Sequence, residues 1–389
     1  MRFLPRPLWR FSKWTDMKAS LYIHIPFCKS KCAYCDFESY PGFETYQDAY
    51  IDQVLKEAKL SRDEYKIRSV PSVYIGGGTP SVLSEKQLER LIEGIRSVFP
   101  IAQDAEFSME ANPGTVDGSK LSLIRALGVN RLSFGAQAAQ THLLKLLGRI
   151  HIWRDVIDAV DMANRAGFSN INIDLMYALP MQTNEDFLES VRQVLSLGVS
   201  HLSMYSLILE EGTRLSCMAE RGEISIPDDD VSADMQKLCW EECEKHGMKR
   251  YEISNYAYEG CECRHNIGYW TRQNYLGLGS SAHSLMNEVR FSNPCFSKYI
   301  KGERKTEAND IPLFERMEES IMLETRMTRG LDLQTFSENY GCDRTEKLVS
   351  SAKTLEKAGL VEIDGHYLRF TPRGLDLQNA IVVKLVWAL

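Results

Sequence analysis

The feature that most constrains the fold is a repeat of short β-rich runs separated by helical stretches. The runs are "SLYIHI" at 20–25, "SVYI" at 72–75, "AEFSME" at 105–110, "RLSFG" at 131–135, "NINIDLM" at 170–176 and "HLSMYSL" at 201–207. Most are spaced about thirty residues apart, the length of one strand–helix unit of a parallel sheet. Six such units predict an α/β fold whose sheet curls into a barrel or partial barrel. Reactive groups are then expected at the C-terminal ends of the strands.

Three cysteines follow the first run in the pattern C-x3-C-x2-C. They are Cys28, Cys32 and Cys35, with Tyr34 before the last. A structural zinc site needs four ligands, and neither Cys nor His follows within twenty residues of Cys35. An iron–sulfur cluster tolerates three thiolates and leaves one iron for an outside ligand. The spacing therefore favours a cluster over zinc, and it resembles the cluster loop of the radical S-adenosylmethionine (SAM) superfamily.

Glycines and polar residues end the following runs. The segment "YIGGGTP" spans 74–80, Glu110 ends the third run and Gln137 follows the fourth. Asp174 lies near the end of the fifth run, and Arg149 lies in "LGRIH". Consecutive glycines allow a ligand to approach the backbone closely, although alone they indicate only a tight turn. A lone carboxylate at a strand end is usually just solvated. Beside the cysteines, these residues predict a polar ring around a nucleoside at the barrel mouth.

Composition excludes several classes of protein. The net charge is −7, with 44% hydrophobic and 25% charged residues, so nothing global indicates nucleic-acid binding. No apolar run approaches the ~18–20 residues of a membrane span. Ten cysteines in 389 residues are not a disulfide scaffold and fit a reducing compartment, so we expect a cytoplasmic protein. The basic start is either a transit peptide or, as we prefer, a disordered extension before Met17 and the first strand.

Four segments are expected along the chain. Residues 1–19 form the extension, 20–220 the (β/α)6 barrel, 221–300 a barrel extension, and 301–389 a C-terminal α+β domain. The last segment reads as three helices, two strands separated by Asp364-Gly365, and a final helix, the order of a winged helix. It holds fewer Lys and Arg than Asp and Glu, which favours a docking or lid module over a DNA-binding one.

Many motifs in order carry a closer resemblance. They are "SLYIHIPFC", "CAYCDF", "YIGGGTPSVL", "MEANPGT", "RLSFGAQ", "LGRIH", "NIDLMYALPMQT", "HLSMYSLILEEGT", "YEISNYA", "CRHNIGYW" and "YLGLGSSAHS". Together they resemble the HemW family, long labelled oxygen-independent coproporphyrinogen III oxidase-like, from about residue 20 to the C-terminus.

The resemblance implies a partial (β/α)6 radical-SAM barrel that carries a [4Fe-4S] cluster. It also implies a protein that binds SAM and heme and delivers heme to apo-proteins such as respiratory enzymes. The implied cluster ligands are Cys28, Cys32 and Cys35. The implied SAM contacts are Tyr22, Tyr34, Gly77, Gly78, Thr79, Glu110, Gln137, Arg149 and Asp174. No catalytic residue is assigned.

The segment "CRHNIGYW" at 263–270 is a second candidate site. The family associates this motif with heme handling, so His265 could ligate iron while Tyr269 and Trp270 stack on the macrocycle. Arg264 could pair with a propionate. The plainer interpretation is that the aromatic side chains pack a loop onto the barrel while His265 only forms hydrogen bonds.

Two other functions stay open. The first is a coproporphyrinogen III dehydrogenase or another tetrapyrrole-modifying radical-SAM enzyme. Those dehydrogenases carry roughly fifty residues before the cluster motif and Gly-Cys after it, whereas here twenty-seven residues precede Cys28 and Asp36-Phe37 follow Cys35. The second is a winged-helix regulator with a cluster as sensor, which the acidic C-terminal domain disfavours. Peripheral membrane contact and oligomeric state are left open by the sequence.

Overall fold

The structure is a computed structural model, and it describes residues 17–389. Up to the end of the barrel, the strands are β1 (Met17–Lys18), β2 (Ser20–Ile25), β3 (Phe27–Cys28), β4 (Tyr40–Pro41), β5 (Ile67–Gly77), β6 (Ile101–Ala111), β7 (Arg131–Gln137), β8 (Asn170–Tyr177) and β9 (His201–Ser206). The later strands are β10 (Lys249–Glu252), β11 (Asn255–Ala257), β12 (Tyr275–Leu278), β13 (His283–Met286), β14 (Val289–Ser292), β15 (Asn309–Asp310), β16 (Leu331–Asp332), β17 (Val361–Ile363) and β18 (Tyr367–Phe370).

Helices alternate with the barrel strands and then dominate the C-terminal part. The first nine are α1 (Gln47–Tyr65), α2 (Glu85–Val98), α3 (Gly118–Ala126), α4 (Thr141–Leu146), α5 (Trp153–Arg165), α6 (Asn184–Ser196), α7 (Arg214–Glu220), α8 (Asp229–Lys245) and α9 (Arg264–Trp270). They are followed by α10 (Phe296–Tyr299), α11 (Leu313–Glu324), α12 (Leu333–Tyr340), α13 (Cys342–Lys357), α14 (Pro372–Asp376) and α15 (Gln378–Val386). None of the helices within 17–389 combines the length and the hydropathy that a bilayer crossing requires.

The six β-rich runs form one parallel sheet, as predicted. The central order is β9-β8-β7-β6-β5-β2, and each neighbouring pair in it is parallel. The sheet continues at one edge with β12, parallel to β2, and at the other with β11, antiparallel to β9. The predicted partial (β/α)6 barrel is therefore confirmed, with antiparallel strands added beyond β12 at one edge and beyond β9 at the other.

Alternation along these strands separates an apolar outer face from a polar interior. In β2, Leu21, Ile23 and Ile25 are fully buried in the main core that the helices cover. The interior residues hydrogen-bond or stack with one another across the sheet. They include Ser20, Tyr22 and His24 of β2, Ser72 and Tyr74 of β5, Glu106, Ser108 and Glu110 of β6, Ser133 of β7, Asn172 and Asp174 of β8, and His201 and Ser203 of β9. The interior of the sheet can therefore hold a polar ligand.

The C-terminal residues form a unit with its own core. Helices α11, α12 and α13 and the small sheet β16-β18-β17 enclose a separate cluster that includes Phe336, Leu348 and Leu368. The strands β17 and β18 are antiparallel and are joined by the turn at Gly365, where φ is +86°. This order of elements is the winged-helix-like arrangement predicted from the sequence.

The predicted N-terminal extension, 1–19, needs a correction at its end. Residues 1–16 lie outside the described part of the chain. Met17 and Lys18 pair in parallel with the start of β5, and Ala19 donates a backbone hydrogen bond to Ser69. Residues 17–19 therefore belong to the sheet, because their backbone groups pair with the first residues of β5, before its pairing with β2 begins.

Candidate cofactor site

Two backbone hydrogen bonds anchor the cysteine loop, which connects β3 and β4. The backbone nitrogen of Ala33 donates to the Leu147 carbonyl at 2.9 Å, and the nitrogen of Leu215 donates to the Ala33 carbonyl at 2.8 Å. A small apolar cluster, which includes Leu144, Leu147 and Leu215, packs under Ala33. The loop that carries the three cysteines is therefore anchored to α4 and α7.

The three cysteines are free thiols, each partly buried. Cys28 Sγ lies 3.4 Å from Thr79 Oγ1, and Arg149 Nη1 donates to Cys32 Sγ at 3.3 Å. Burial raises the pKa values of the Cys28 and Cys35 thiols. Within residues 17–389, no three His, Cys, Asp or Glu side chains are grouped around a single metal position. A [4Fe-4S] cluster does not require such a group, since each thiolate binds a different iron.

The glycine loop after β5 packs directly on this cysteine loop. Gly78 N donates to the Ile25 carbonyl at 2.9 Å, and Thr79 N donates to the Phe27 carbonyl at 2.8 Å. A Cβ at Gly78 would lie 2.8 Å from both of these carbonyl oxygens, so only glycine fits. At Gly77, φ is +109° and a Cβ would lie 2.4 Å from the His24 ring. The glycines therefore hold the two loops together.

Two buried carboxylates stand beside the glycine loop. Glu110 accepts from Tyr74 Oη at 2.9 Å and from Gly77 N at 3.1 Å. Burial, helped by the nearby Asp174, raises the pKa of Glu110 to about 7. Asp174 accepts from Asn172 Nδ2 at 2.8 Å and from Ser133 Oγ at 3.0 Å, and burial raises its pKa as well. Both are held by donors and can accept further bonds from a ligand.

Gln137 and Arg149 are the remaining members of the polar ring that the sequence predicts around the ligand. Gln137 has a φ of +69°, an uncommon backbone conformation for a residue other than glycine at the end of a strand. Arg149 Nη2 donates to the Gly135 carbonyl at 2.5 Å, while its Nε is buried without a partner among the described residues. A buried donor without a partner points to a ligand group that would accept from it.

These residues surround one cavity of about 560 Å³. Its walls include all the predicted cluster ligands and SAM contacts except Tyr22, namely Cys28, Cys32, Tyr34, Cys35, Gly77, Gly78, Thr79, Glu110, Gln137, Arg149 and Asp174. This volume is ordinary for a cofactor site. Three thiols, a glycine cradle, two carboxylates and an unpaired guanidinium nitrogen suit a cluster together with SAM.

Tyr22 lies outside the cavity wall. Its hydroxyl is 3.0 Å from His24 Nδ1, and its ring is stacked on Tyr74 with the centroids 6.3 Å apart. A SAM contact for Tyr22 stays a prediction, whereas the structure places it in the polar interior of the sheet.

His265 is also separate from the cavity. The side chain is 1% exposed, with Nδ1 2.9 Å from Ser72 Oγ and Nε2 2.9 Å from Tyr269 Oη. Burial lowers the pKa of His265 to about 3. Because both ring nitrogens already have partners, iron ligation would require one of these bonds to break. The heme-ligand role of His265 stays a prediction with that condition attached.

The other residues of the same motif make contacts within the protein. Tyr269 packs edge-on against Tyr275, with ring centroids 4.6 Å apart. The guanidinium of Arg326 lies 4.4 Å from the centre of the Trp270 ring, and it pairs with Glu252 at 3.6 Å. The predicted plainer interpretation, an aromatic pair that packs the loop, describes these contacts.

Sequence reasoning missed several residues of the cavity. Ser133 and Tyr205 line it from β7 and β9, and Phe37, Ile150 and Ile208 line it with exposed apolar side chains. The signal for Tyr205 was its position at the end of the sixth strand, the same logic that selected Asp174. The exposed apolar residues come from loops and left no periodic signal.

Comparison with known proteins identifies the family. Residues 22–194 match the Radical SAM superfamily, and residues 311–377 match the HemN C-terminal domain. The heme chaperone HemW of Bacillus subtilis (strain 168) is 35% identical over 374 residues, which are 93% of this chain and 97% of the relative. The chain belongs to the HemW family.

A second HemW relative supports this assignment, and a solved structure shows the fold. The heme chaperone HemW of Escherichia coli (strain K12) is 37% identical over 305 residues, 75% of this chain and 80% of the relative. The structure of coproporphyrinogen III oxidase (HemN) from Escherichia coli, described as a radical SAM enzyme, superimposes with a TM-score of 0.85. It covers 100% of this chain and 94% of that one at 23% identity, so the likeness shows a shared fold. The chain therefore combines sequence similarity to HemW with the fold of HemN.

Proposed function

We propose that this HemW-family chain is a heme chaperone that carries a [4Fe-4S] cluster, binds SAM and heme, and delivers heme to apo-proteins such as respiratory enzymes. The observation that carries the proposal is the meeting of the three cysteines with the glycine loop, Glu110 and Asp174 in one cavity. The HemW relatives, which align along most of the chain, supply the heme function.

The donor set supports the cluster part of the proposal. Cys28, Cys32 and Cys35 are free, lie on one anchored loop and line the cavity. Three thiolates leave one iron open for SAM, and a reduced cluster of this kind supplies an electron to the sulfonium. All ten cysteines are free, which suits a reducing compartment and supports placing the protein in the cytoplasm.

The remaining wall of the cavity supports SAM binding. Gly77 and Gly78 line the cavity, so their backbone groups would lie beside the methionine moiety. Glu110 and Asp174 are placed to accept hydrogen bonds from ribose hydroxyls, and Arg149 offers its unpaired Nε to a carboxylate. Tyr34, Thr79 and Gln137 would close the remaining sides of the ligand.

Anaerobic reconstitution followed by heme titration tests the proposal. The reconstituted protein is expected to hold about four irons with sulfide, to bind SAM, and to bind heme. When the heme-loaded protein is mixed with a candidate apo-cytochrome, we expect the apo-cytochrome to acquire heme faster than it does from free heme in buffer. A variant without the cysteine ligands serves as a control for the role of the cluster.

Product analysis separates this function from the enzyme alternative. The protein is incubated anaerobically with coproporphyrinogen III, SAM and a reductant, and decarboxylated porphyrinogens are measured. We expect no decarboxylation. Efficient conversion with SAM consumption, together with failure to transfer heme, would replace the chaperone by a coproporphyrinogen III dehydrogenase.

A further inference from the structure

Helix α9, which carries the "HNIGYW" motif, is anchored to the middle of β6. The Glu106 carboxylate accepts from the backbone nitrogens of Arg264 at 2.8 Å and His265 at 3.1 Å. Glu106 is 5% exposed, so these bonds are shielded from water. The first turn of α9 is thereby fixed to the strand that carries Glu110 four residues later, next to its C-terminal end.

His265 extends this connection to β5. Its Nδ1 lies 2.9 Å from Ser72 Oγ, and its ring is stacked on Tyr74, with centroids 5.2 Å apart and planes at 27°. Tyr74 is two residues after Ser72, so both side chains point into the interior of the sheet. The position of the Tyr74 ring is therefore defined by a helix that is distant in sequence.

Tyr74 in turn contacts the cofactor cavity. Its hydroxyl donates to Glu110 Oε1 at 2.9 Å, while Gly77 N occupies Oε2 at 3.1 Å. A glutamate side chain has three rotatable bonds, and one donor on each oxygen fixes both the position and the plane of the carboxylate. Losing the hydroxyl would leave Oε1 in a buried site without this donor.

We infer that Tyr74 and His265 are positioning residues for Glu110, through which helix α9 sets the affinity of the cavity for SAM. The inference rests on the proposed function, because it presupposes that Glu110 holds SAM. It gives the "HNIGYW" motif a role in the cofactor site that is independent of heme ligation. The chain of contacts runs from Glu106 through His265 and Tyr74 to Glu110.

SAM affinity in a double-mutant cycle tests the inference. Dissociation constants are measured by equilibrium dialysis on reconstituted protein for the parent, Tyr74→Phe, Glu110→Gln and the double variant. Tyr74→Phe keeps the ring and removes only the donor, so we expect about tenfold weaker SAM binding, the usual scale for a bond to a charged acceptor. In the Glu110→Gln background the same substitution is expected to have a much smaller effect.

The pH profile adds a measurement that a purely structural role would not change. The titratable groups that interact electrostatically with Glu110 are Asp174, Arg131, Tyr22, Tyr74 and Tyr269, and Tyr74 also donates a hydrogen bond to it. Because Tyr74 stabilises the ionised form of Glu110, its removal is expected to move the midpoint of SAM binding to higher pH. Glu110→Gln is expected to lose the part of the pH dependence of SAM binding that comes from ionisation of Glu110.

Tyr299→Phe is the matched control. The Tyr299 hydroxyl also donates to a buried carboxylate, Glu57, at 2.6 Å, but neither residue lines the cavity. It is expected to lower stability without changing SAM affinity. His265→Ala is expected to weaken SAM binding in the parent and to have little further effect in Glu110→Gln.

Three outcomes would overturn the inference. One is SAM binding by Tyr74→Phe that equals the parent at every pH. Another is a loss in His265→Ala that persists undiminished in the Glu110→Gln background. If His265→Ala does not fold, the SAM affinity of Tyr74→Phe alone decides whether the inference holds. A parent protein that binds a cluster and no SAM would overturn the SAM part of the proposed function, and this inference with it.

Discussion

The backbone nitrogen of Leu215 donates a 2.8 Å hydrogen bond to the carbonyl oxygen of Ala33, in the middle of the cysteine loop. The Leu215 side chain is fully buried in the apolar cluster under that loop. A residue at the start of α7 therefore secures the segment that separates Cys32 from Cys35. The cysteines are therefore held in part by the packing of the protein itself.

Leu215→Ala is expected to loosen the cysteine loop. Removing a buried leucine side chain costs about 2–5 kcal/mol, and here the loss falls under the loop. We expect the variant to lose iron to a chelator faster than the parent protein does. The decrease in the absorbance of the cluster measures this rate. Leu348→Ala, in the separate C-terminal core, is the control for a comparable loss of packing. Equal rates of iron loss in both variants would contradict a local role for Leu215.

Alanine at any one of Cys28, Cys32 or Cys35 is expected to abolish the cluster. Two thiolates cannot hold the cluster that three hold, so iron, sulfide and visible absorbance should all fall after reconstitution. Cys342→Ala, at an exposed cysteine of the C-terminal unit, should keep them. About four irons retained in Cys32→Ala, or one zinc without sulfide in the parent, would rule out the assignment.

Glu110 is expected to make the cluster-free protein less stable as pH rises from about 4.5 to about 7. Its pKa is raised from 4.5 to about 7 in the folded state, so the folded protein holds a proton that the unfolded chain has released. The contribution of Glu110 to the free energy of unfolding then decreases through this window and is constant above it. Urea titrations should show this decrease in the parent and a smaller one in Glu110→Gln. Parallel curves for the two proteins would refute the prediction.

Heme binding through His265 is expected to respond to Tyr269. If Nε2 ligates iron, Tyr269→Phe removes the competing hydroxyl and should strengthen heme binding, whereas His265→Ala should weaken it. Soret titrations measure both. If neither variant changes heme affinity, the ligand is elsewhere, and the exposed His283 is the next histidine to replace.

Local patterns were enough to predict the barrel and most of its cavity. Polar and apolar residues alternate in the six runs, and the rule that sites form at strand ends selected Glu110 and Asp174, which line the cavity. The motif spacing placed the cysteines and glycines on facing loops. These features depend on residues close together in the chain, where periodicity and turn chemistry leave a direct signal.

The surroundings of His265 could not be predicted in the same way. Its partners, Ser72 and Tyr74, lie in β5, and no periodic pattern links them to a helix so far along the chain. The same holds for Leu215 and Ala33, whose contact depends on how α7 returns to the loop. The SAM contact of Tyr22 stays a prediction, since its side chain is stacked on Tyr74 in the interior of the sheet.

The pairing of β2 with β12 bears on how the protein is synthesised. Strand β2 leads into the cysteine loop, and its two neighbours are β5 and β12, where Tyr22 is opposite Gly277. On the ribosome, β5 emerges soon after β2, whereas β12 emerges only after the whole barrel has been translated. Until then β2 is an open edge strand, available to other chains. The second edge of β2, the strand that leads to the cysteines, can therefore be paired only after Leu278 has left the exit tunnel.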